Sequence, residues 1–99
     1  MTSIDLHFVC KKQKNWTKLD ANMFETGNWK VGNKAANEAI GGRVYLHERQ
    51  NDIAWHGGTI IEWRLLSNST RKIFTYRLDG NFDVRCTSGW GNEKAIVRR

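Results

Sequence analysis

The sequence predicts a mainly β domain with one or two short helices (an α+β chain), its five to six strands forming a curled sheet or small barrel. Three observations carry that prediction. Apolar side chains alternate with a period of two in several short runs. Only one stretch has helical spacing, and Gly, Asn and Ser punctuate the gaps between runs. The 99 residues fit one domain, residues 1–99, of a size that buries roughly 60–70% of its unfolded surface.

The elements follow in order. In residues 4–10, Ile4, Leu6, Phe8 and Cys10 point one way and Asp5, His7 and Val9 the other, the pattern of a half-buried strand. Polar residues from Lys11 to Asn15 end it, and Trp16 opens a stretch read as irregular as far as Trp29. Residues 33–40 predict the one convincing helix, with Gly32 or Asn33 as its cap, Ala36, Ala39 and Ile40 on one face, and Gly41 as a left-handed stop. It is too short to stand without tertiary packing.

Strands resume after Gly41-Gly42. Residues 43–48 set Val44 and Leu46 against Tyr45 and His47. Residues 59–66 set Thr59, Ile61, Trp63 and Leu65 against Ile60, Glu62 and Arg64. Ser67-Asn68-Ser69-Thr70 marks a turn into residues 72–78, where Phe74, Tyr76 and Leu78 share a face, so the two runs predict an antiparallel hairpin. Phe82, Val84 and Cys86 suggest a further short strand, and the tail from Ala95 to Arg99 either pairs at a sheet edge or frays. Full closure or strong curl removes exposed edges from such a sheet.

Sixteen Lys and Arg against ten Asp and Glu give a net charge of +6, and the pI is near 9.7. That balance suits a polyanion, since each neutralised phosphate releases counterions, although charge also serves solubility alone. No run reaches the roughly 18–20 apolar residues of a membrane span, no basic amphipathic helix points to a membrane surface, and no signal peptide is visible, so the expected compartment is the cytoplasm. Cys10 and Cys86 fall on apolar phases and read as buried thiols. With no CxxC, a zinc site of the usual spacing is excluded.

Three constellations can carry function. Trp16, Trp29, Trp55 and Trp90 fall in segments read as loops or loop ends. Rings there can stack a base, worth roughly 1–3 kcal/mol each, or can lid the ends of the fold as ordinary core. His47-Glu48 and His56 fall at the ends of consecutive strands, where they can read a base edge or simply be solvated. HExxH zinc geometry fails there because Asn51 stands where a histidine is needed. Lys11, Lys12, Lys14 and Lys18 flank Trp16 and suit a phosphate track, or a solvated loop. Cys86 and Ser88 lack a nucleophile elbow or a local His, so no catalytic residue is assigned. Gly41-Gly42 and Gly57-Gly58 do not match a phosphate loop and read as turns and close backbone approach.

The order of these features resembles the PUA-like superfamily, within it the EVE and ASCH-type domains. The resemblance rests on a first strand running into Asn15-Trp16, a helix leading to Gly41-Gly42-Arg43-Val44-Tyr45-Leu46-His47-Glu48, and then Trp55-His56-Gly57-Gly58-Thr59-Ile60-Ile61. It spans most of residues 4–78. It implies a pseudo-barrel whose mouth accepts a nucleobase, often modified, between aromatic rings, with cage residues at the positions of Trp16, Trp29 and Trp55. EVE domains are usually longer than this chain. Some ASCH-type relatives are hydrolases of modified nucleosides using Lys, Thr and Glu; Thr17, Lys18 and Glu48 supply those types without a matching spacing.

The expected function is therefore a nucleic-acid-binding module, for DNA or RNA, that recognises a nucleobase. Trp16, Trp29 and Trp55 would stack; His47, Glu48 and Asn15 would hydrogen-bond base edges; Lys11, Lys12, Lys14 and Lys18 would hold phosphates. No metal or cofactor is expected. A small amidohydrolase of modified nucleosides and a protein-interaction or inhibitor module are the alternatives.

Overall fold

In the computed structural model, residues 4–11, 15–79, 83–86, 89–91 and 93–98 are described. Their elements are β1 (Ile4–Val9), β2 (Trp16–Lys18), β3 (Met23–Trp29), α1 (Asn33–Ala39), β4 (Arg43–His47), β5 (His56–Leu65), β6 (Lys72–Leu78) and β7 (Lys94–Arg98). The seven strands form one mixed sheet in the order β2-β3-β6-β5-β4-β1-β7. Among the described strands only β1 and β4 pair in parallel, which requires the long crossover through β2, β3 and α1. Among the described residues no pairing joins β2 to β7, so the sheet is not closed.

Alternation places the core as expected on β1. Ile4, Leu6 and Phe8 are fully buried, joined by Val44 and Leu46 of β4 and by Phe74 and Tyr76 of β6. Each such side chain contributes about 1.5–3 kcal/mol of apolar burial. The opposite face of β1 and β4 is covered too. Asp5, His7, Tyr45 and His47 are all buried. Trp90 packs edge-on to His7 and His47, and Ala54 N–H donates to the Val84 carbonyl at 2.9 Å. Arg43 grips Asp79 through two nitrogens at 2.5 and 2.6 Å, which anchors the end of β6 to β4.

The helix forms where the spacing predicts, between Gly32 as N-cap and Gly41 at φ +86°. It packs Ala36 and Ala39 on the core, and Trp63 Nε1 donates to Asn37 Oδ1 at 3.0 Å. Ile40 departs from the expected face. As the C-cap it leaves helical geometry and is 47% exposed. Gly42 and Gly58 mark close backbone approaches, because a Cβ would collide with the carbonyl oxygens of Ile4 and Arg77. Gly57 and Gly58 lie inside β5 rather than in a turn, paired with Tyr45 and Val44.

Two further corrections concern strands. Residues 16–29 form the hairpin β2–β3 instead of an irregular stretch, turning where Asp20 and Met23 exchange backbone hydrogen bonds. On β5 the expected phase fails past Ile60. The register slips between Ile60 and Glu62, so that Ile60 opposes Tyr76 while Trp63 opposes Phe74. This bulge puts Ile60 and Trp63 on one face although they are three apart. Of the strand expected at 82–86, Phe82 lies outside the described residues, and Arg85 makes one isolated bridge to Ile53. The tail pairs: β7 runs antiparallel to β1. Both thiols are buried and not disulfide-bonded, and no helix among the described residues is long and apolar enough to cross a membrane.

Candidate functional site

Register decides where the two strand-end histidines go. Leu46 opposes His56, so His56 shares the core face with Leu46, while His47, one residue on, points to the other side of the sheet. The two rings therefore join different clusters.

His56 sits in an aromatic box. Trp16, Phe24, Trp55 and Tyr76 surround it with centroid distances of 4.6–5.7 Å. Trp16 meets Trp55 edge-on at 5.5 Å, a contact that requires the sheet to curl, since β2 is an edge strand. The polar atoms are committed internally. Trp16 Nε1 donates to the Tyr76 hydroxyl at 2.7 Å, and Trp55 Nε1 donates to the Cys10 carbonyl at 2.6 Å. The Tyr76 hydroxyl lies 2.8 Å from His56 Nδ1. Burial lowers the His56 pKa and raises that of Tyr76, which keeps both neutral and suits the phenol donating to the imidazole.

His47 is fully buried. Its Nδ1 is 2.7 Å from the Asp52 carbonyl, which can only accept, so Nδ1 carries the proton. Its Nε2 then accepts from His7 Nδ1 at 2.9 Å. His7 also stacks on Tyr45 at 4.8 Å. Burial, followed by the neighbouring His47, pushes the His7 pKa down to about 4, against an upward pull from Asp5. His47 is lowered as well, chiefly by burial. His47 thus faces a closed cluster, with both ring nitrogens spent.

Trp29 goes elsewhere again. It is 4% exposed, stacks on Phe8 with centroids 4.4 Å apart and planes within 5°, and donates to Thr26 Oγ1 at 3.0 Å. Trp16 and Trp55 are therefore in contact, and Trp29 belongs to the core beside Phe8. Glu48 is half-buried just past β4, and Thr17 and Lys18 are exposed on the edge strand β2. Asn15 is exposed and adopts φ +53°, a left-handed conformation Asn tolerates. Lys11 is exposed; Lys12 and Lys14, like Ser88, lie outside the described residues.

The open concavities lie along a different line. A cavity of about 680 Å³ is lined by Lys30, Arg71, Gly89, Gly91, Glu93, Lys94 and Ile96. That is within the roughly 300–1,000 Å³ typical of ligand sites. A smaller recess of about 220 Å³ is lined by Val9, Cys10, Lys11, Asn15, Trp29 and Glu93. Glu93 is common to both. It pairs with Arg71 at 3.4 Å, both side chains being nearly half exposed. Arg71 also reaches the Asn28 carbonyl at 3.4 Å, and Lys94 Nζ donates to the Lys30 carbonyl.

Lys11, Asn15 and Trp29 were expected at a site and line the recess. Lys30, Arg71, Glu93 and Lys94 were not expected. They follow β3, precede β6 and open β7, so only the fold gathers them. Their one local signal is that Lys30 directly follows Trp29. Among the described residues no group of three or more His, Cys, Asp or Glu is placed to hold a metal. No protein-family model matches the chain, and neither a curated protein nor a solved structure matches it.

Proposed function

We propose that this chain is a nucleic-acid-binding module that engages the phosphate backbone through the cleft of Lys30, Arg71 and Lys94, with Lys11 and Asn15 extending the contact. One observation carries the reading: on a chain of net charge +6, a cavity of about 680 Å³ is lined by three cations and a single acid. Lys30 is exposed, and Arg71 and Lys94 are half-buried with contacts to Glu93 and to backbone carbonyls. Cations gathered at one cavity raise the local concentration of polyanions and bind them by counterion release. Base stacking across Trp16, Trp29 and Trp55 together is not part of this reading, because Trp29 is enclosed against Phe8. The PUA-like resemblance belongs to the same proposal. It takes the curled sheet as an opened pseudo-barrel, and the Trp16–Trp55 contact across that curl favours it.

The test is fluorescence anisotropy with labelled single-stranded and duplex oligonucleotides over a range of salt. A single strand held by three cations gives a log–log salt slope of about −2, from roughly −0.7 per neutralised phosphate. The double variant Lys30→Gln, Arg71→Gln should weaken binding by at least about tenfold and flatten that slope by about 1.4, roughly two phosphates' worth. A folded double variant that binds as tightly as the native chain, by the same assay, removes the cleft from the function.

A further inference from the structure

The two concavities differ in character, and the difference bears on which part of a nucleic acid they hold. This inference rests on the cleft reading above and deepens it. The larger cavity has a net of two positive charges, its three cations being offset only by Glu93. A phosphodiester carries one negative charge, whereas a phosphomonoester carries about −1.5 to −2 at neutral pH and three acceptor oxygens. The larger cavity is therefore matched to a terminal or free phosphate better than to an internal one.

The recess is of another kind. It is below the roughly 300 Å³ at which whole-ligand sites begin, and its volume of about 220 Å³ suits a ring system alone. Trp29 and Val9 give it apolar walls, and Asn15 brings an amide, which can both donate to and accept from a base edge. Glu93, on the wall shared with the larger cavity, offsets the charge of Lys11, so the recess has no cationic excess to hold a second phosphate. A paired base inside a duplex cannot enter such a recess, whereas an unstacked one can.

We propose that the adjoining cavities together hold one unpaired nucleoside monophosphate, either free or as the phosphorylated terminus of a single strand. The phosphate lies among Lys30, Arg71 and Lys94, and the base lies beside Asn15 and Trp29.

Competition titrations on the full chain test this, using a short unstructured strand with and without a terminal phosphate at either end, the ribonucleoside 5′-monophosphates, and inorganic phosphate. The phosphorylated strand should bind about tenfold tighter than its unphosphorylated form, a difference of about 1.4 kcal/mol. Mononucleotides should compete better than inorganic phosphate. Asn15→Gly keeps the left-handed backbone and should weaken the nucleotides several-fold while leaving inorganic phosphate unchanged. Equal binding of strands with and without the terminal phosphate overturns this inference and leaves the polymer-binding function standing. Binding of mononucleotides without any strand supports the inference and assigns the site to free nucleotides. No binding of any of these probes overturns both.

Discussion

Around His56 the rings of Trp16, Phe24, Trp55 and Tyr76 meet one another and their N–H groups are spent on internal acceptors. Around Glu93 the reverse holds: three cations face an open cavity with few rings near it. The His7–His47 pair on the other side of the sheet is more closed still: both rings are buried, whereas Trp16, Trp55 and His56 are half-buried. The contrast teaches that stacking capacity and openness are separate properties in this fold. A ring that lies on other rings and has donated its hydrogen contributes to stability. A cation facing solvent contributes to binding.

Variants in the two kinds of region should therefore fail in different assays, and the largest effect belongs to Trp29→Ala. It removes a buried ring stacked on Phe8 and leaves the fully buried Thr26 hydroxyl without its indole donor. A loss of about 3–5 kcal/mol is expected in chemical denaturation. Lys30→Gln, one residue along the chain, should change stability by no more than about 0.5 kcal/mol. If Trp29→Ala kept native stability and lost only nucleotide binding, the ring would belong with the open region and the contrast would break there.

That neighbouring pair also shows what the sequence could and could not convey. Strands β1, β4 and β6 are legible because one or both faces are buried through uninterrupted stretches, so Ile4-Leu6-Phe8 and Phe74-Tyr76 alternate without a slip. The β2–β3 hairpin is not. Its first strand has three residues, Leu19 after it is 50% exposed, and Gly27 interrupts the second strand where it meets Ile73 too closely for a side chain. On β5 the alternation misleads, because the bulge at Ile60–Glu62 transfers the inward phase to Trp63. The aromatic residues were readable as a group, but only the Leu46–His56 register reveals that His47 and His56 part company. The cations of the cleft were unreadable for a simpler reason: Lys30, Arg71 and Lys94 come from distant parts of the chain, and no local spacing relates them.

The closed region makes a second prediction, of intermediate size. His7 has its pKa lowered to about 4 in the fold by burial and by His47, against an ordinary value of 6.5. The unfolded chain therefore binds more protons than the native one below pH 6.5. The stabilisation from neutral His7 is complete above that pH and is lost as pH falls toward 4. The structural reason is burial: His7 Nδ1–H already donates to His47, so an added proton would sit on Nε2 and make a buried cation beside the His47 ring. Stability should fall by on the order of 1 kcal/mol between pH 7 and pH 5, read as a lower Tm. His7→Gln should flatten that stretch of the profile. An unchanged slope in the variant would assign the acid response to other groups, His56 first among them.

The smallest effect tests the open region. Glu93 and Arg71 form a half-exposed pair at 3.4 Å, of a kind worth about 0–1 kcal/mol to the fold. Its larger consequence is for a ligand, because Glu93 neutralises one of the cations that a phosphate must use. Glu93→Gln frees Arg71 and removes a like charge from the wall between the two cavities. Two unit charges about 4 Å apart exchange about 1 kcal/mol in a water-like dielectric, so oligonucleotide affinity should rise by about fivefold at low salt. Stability should hardly move. The gain should also shrink as salt is added, since the interaction is exposed to screening. A Gln variant with unchanged affinity at low salt would mean that phosphates bind beyond the reach of Glu93. The cations of the cleft would then be, like the rings around His56, engaged with the protein rather than with a ligand.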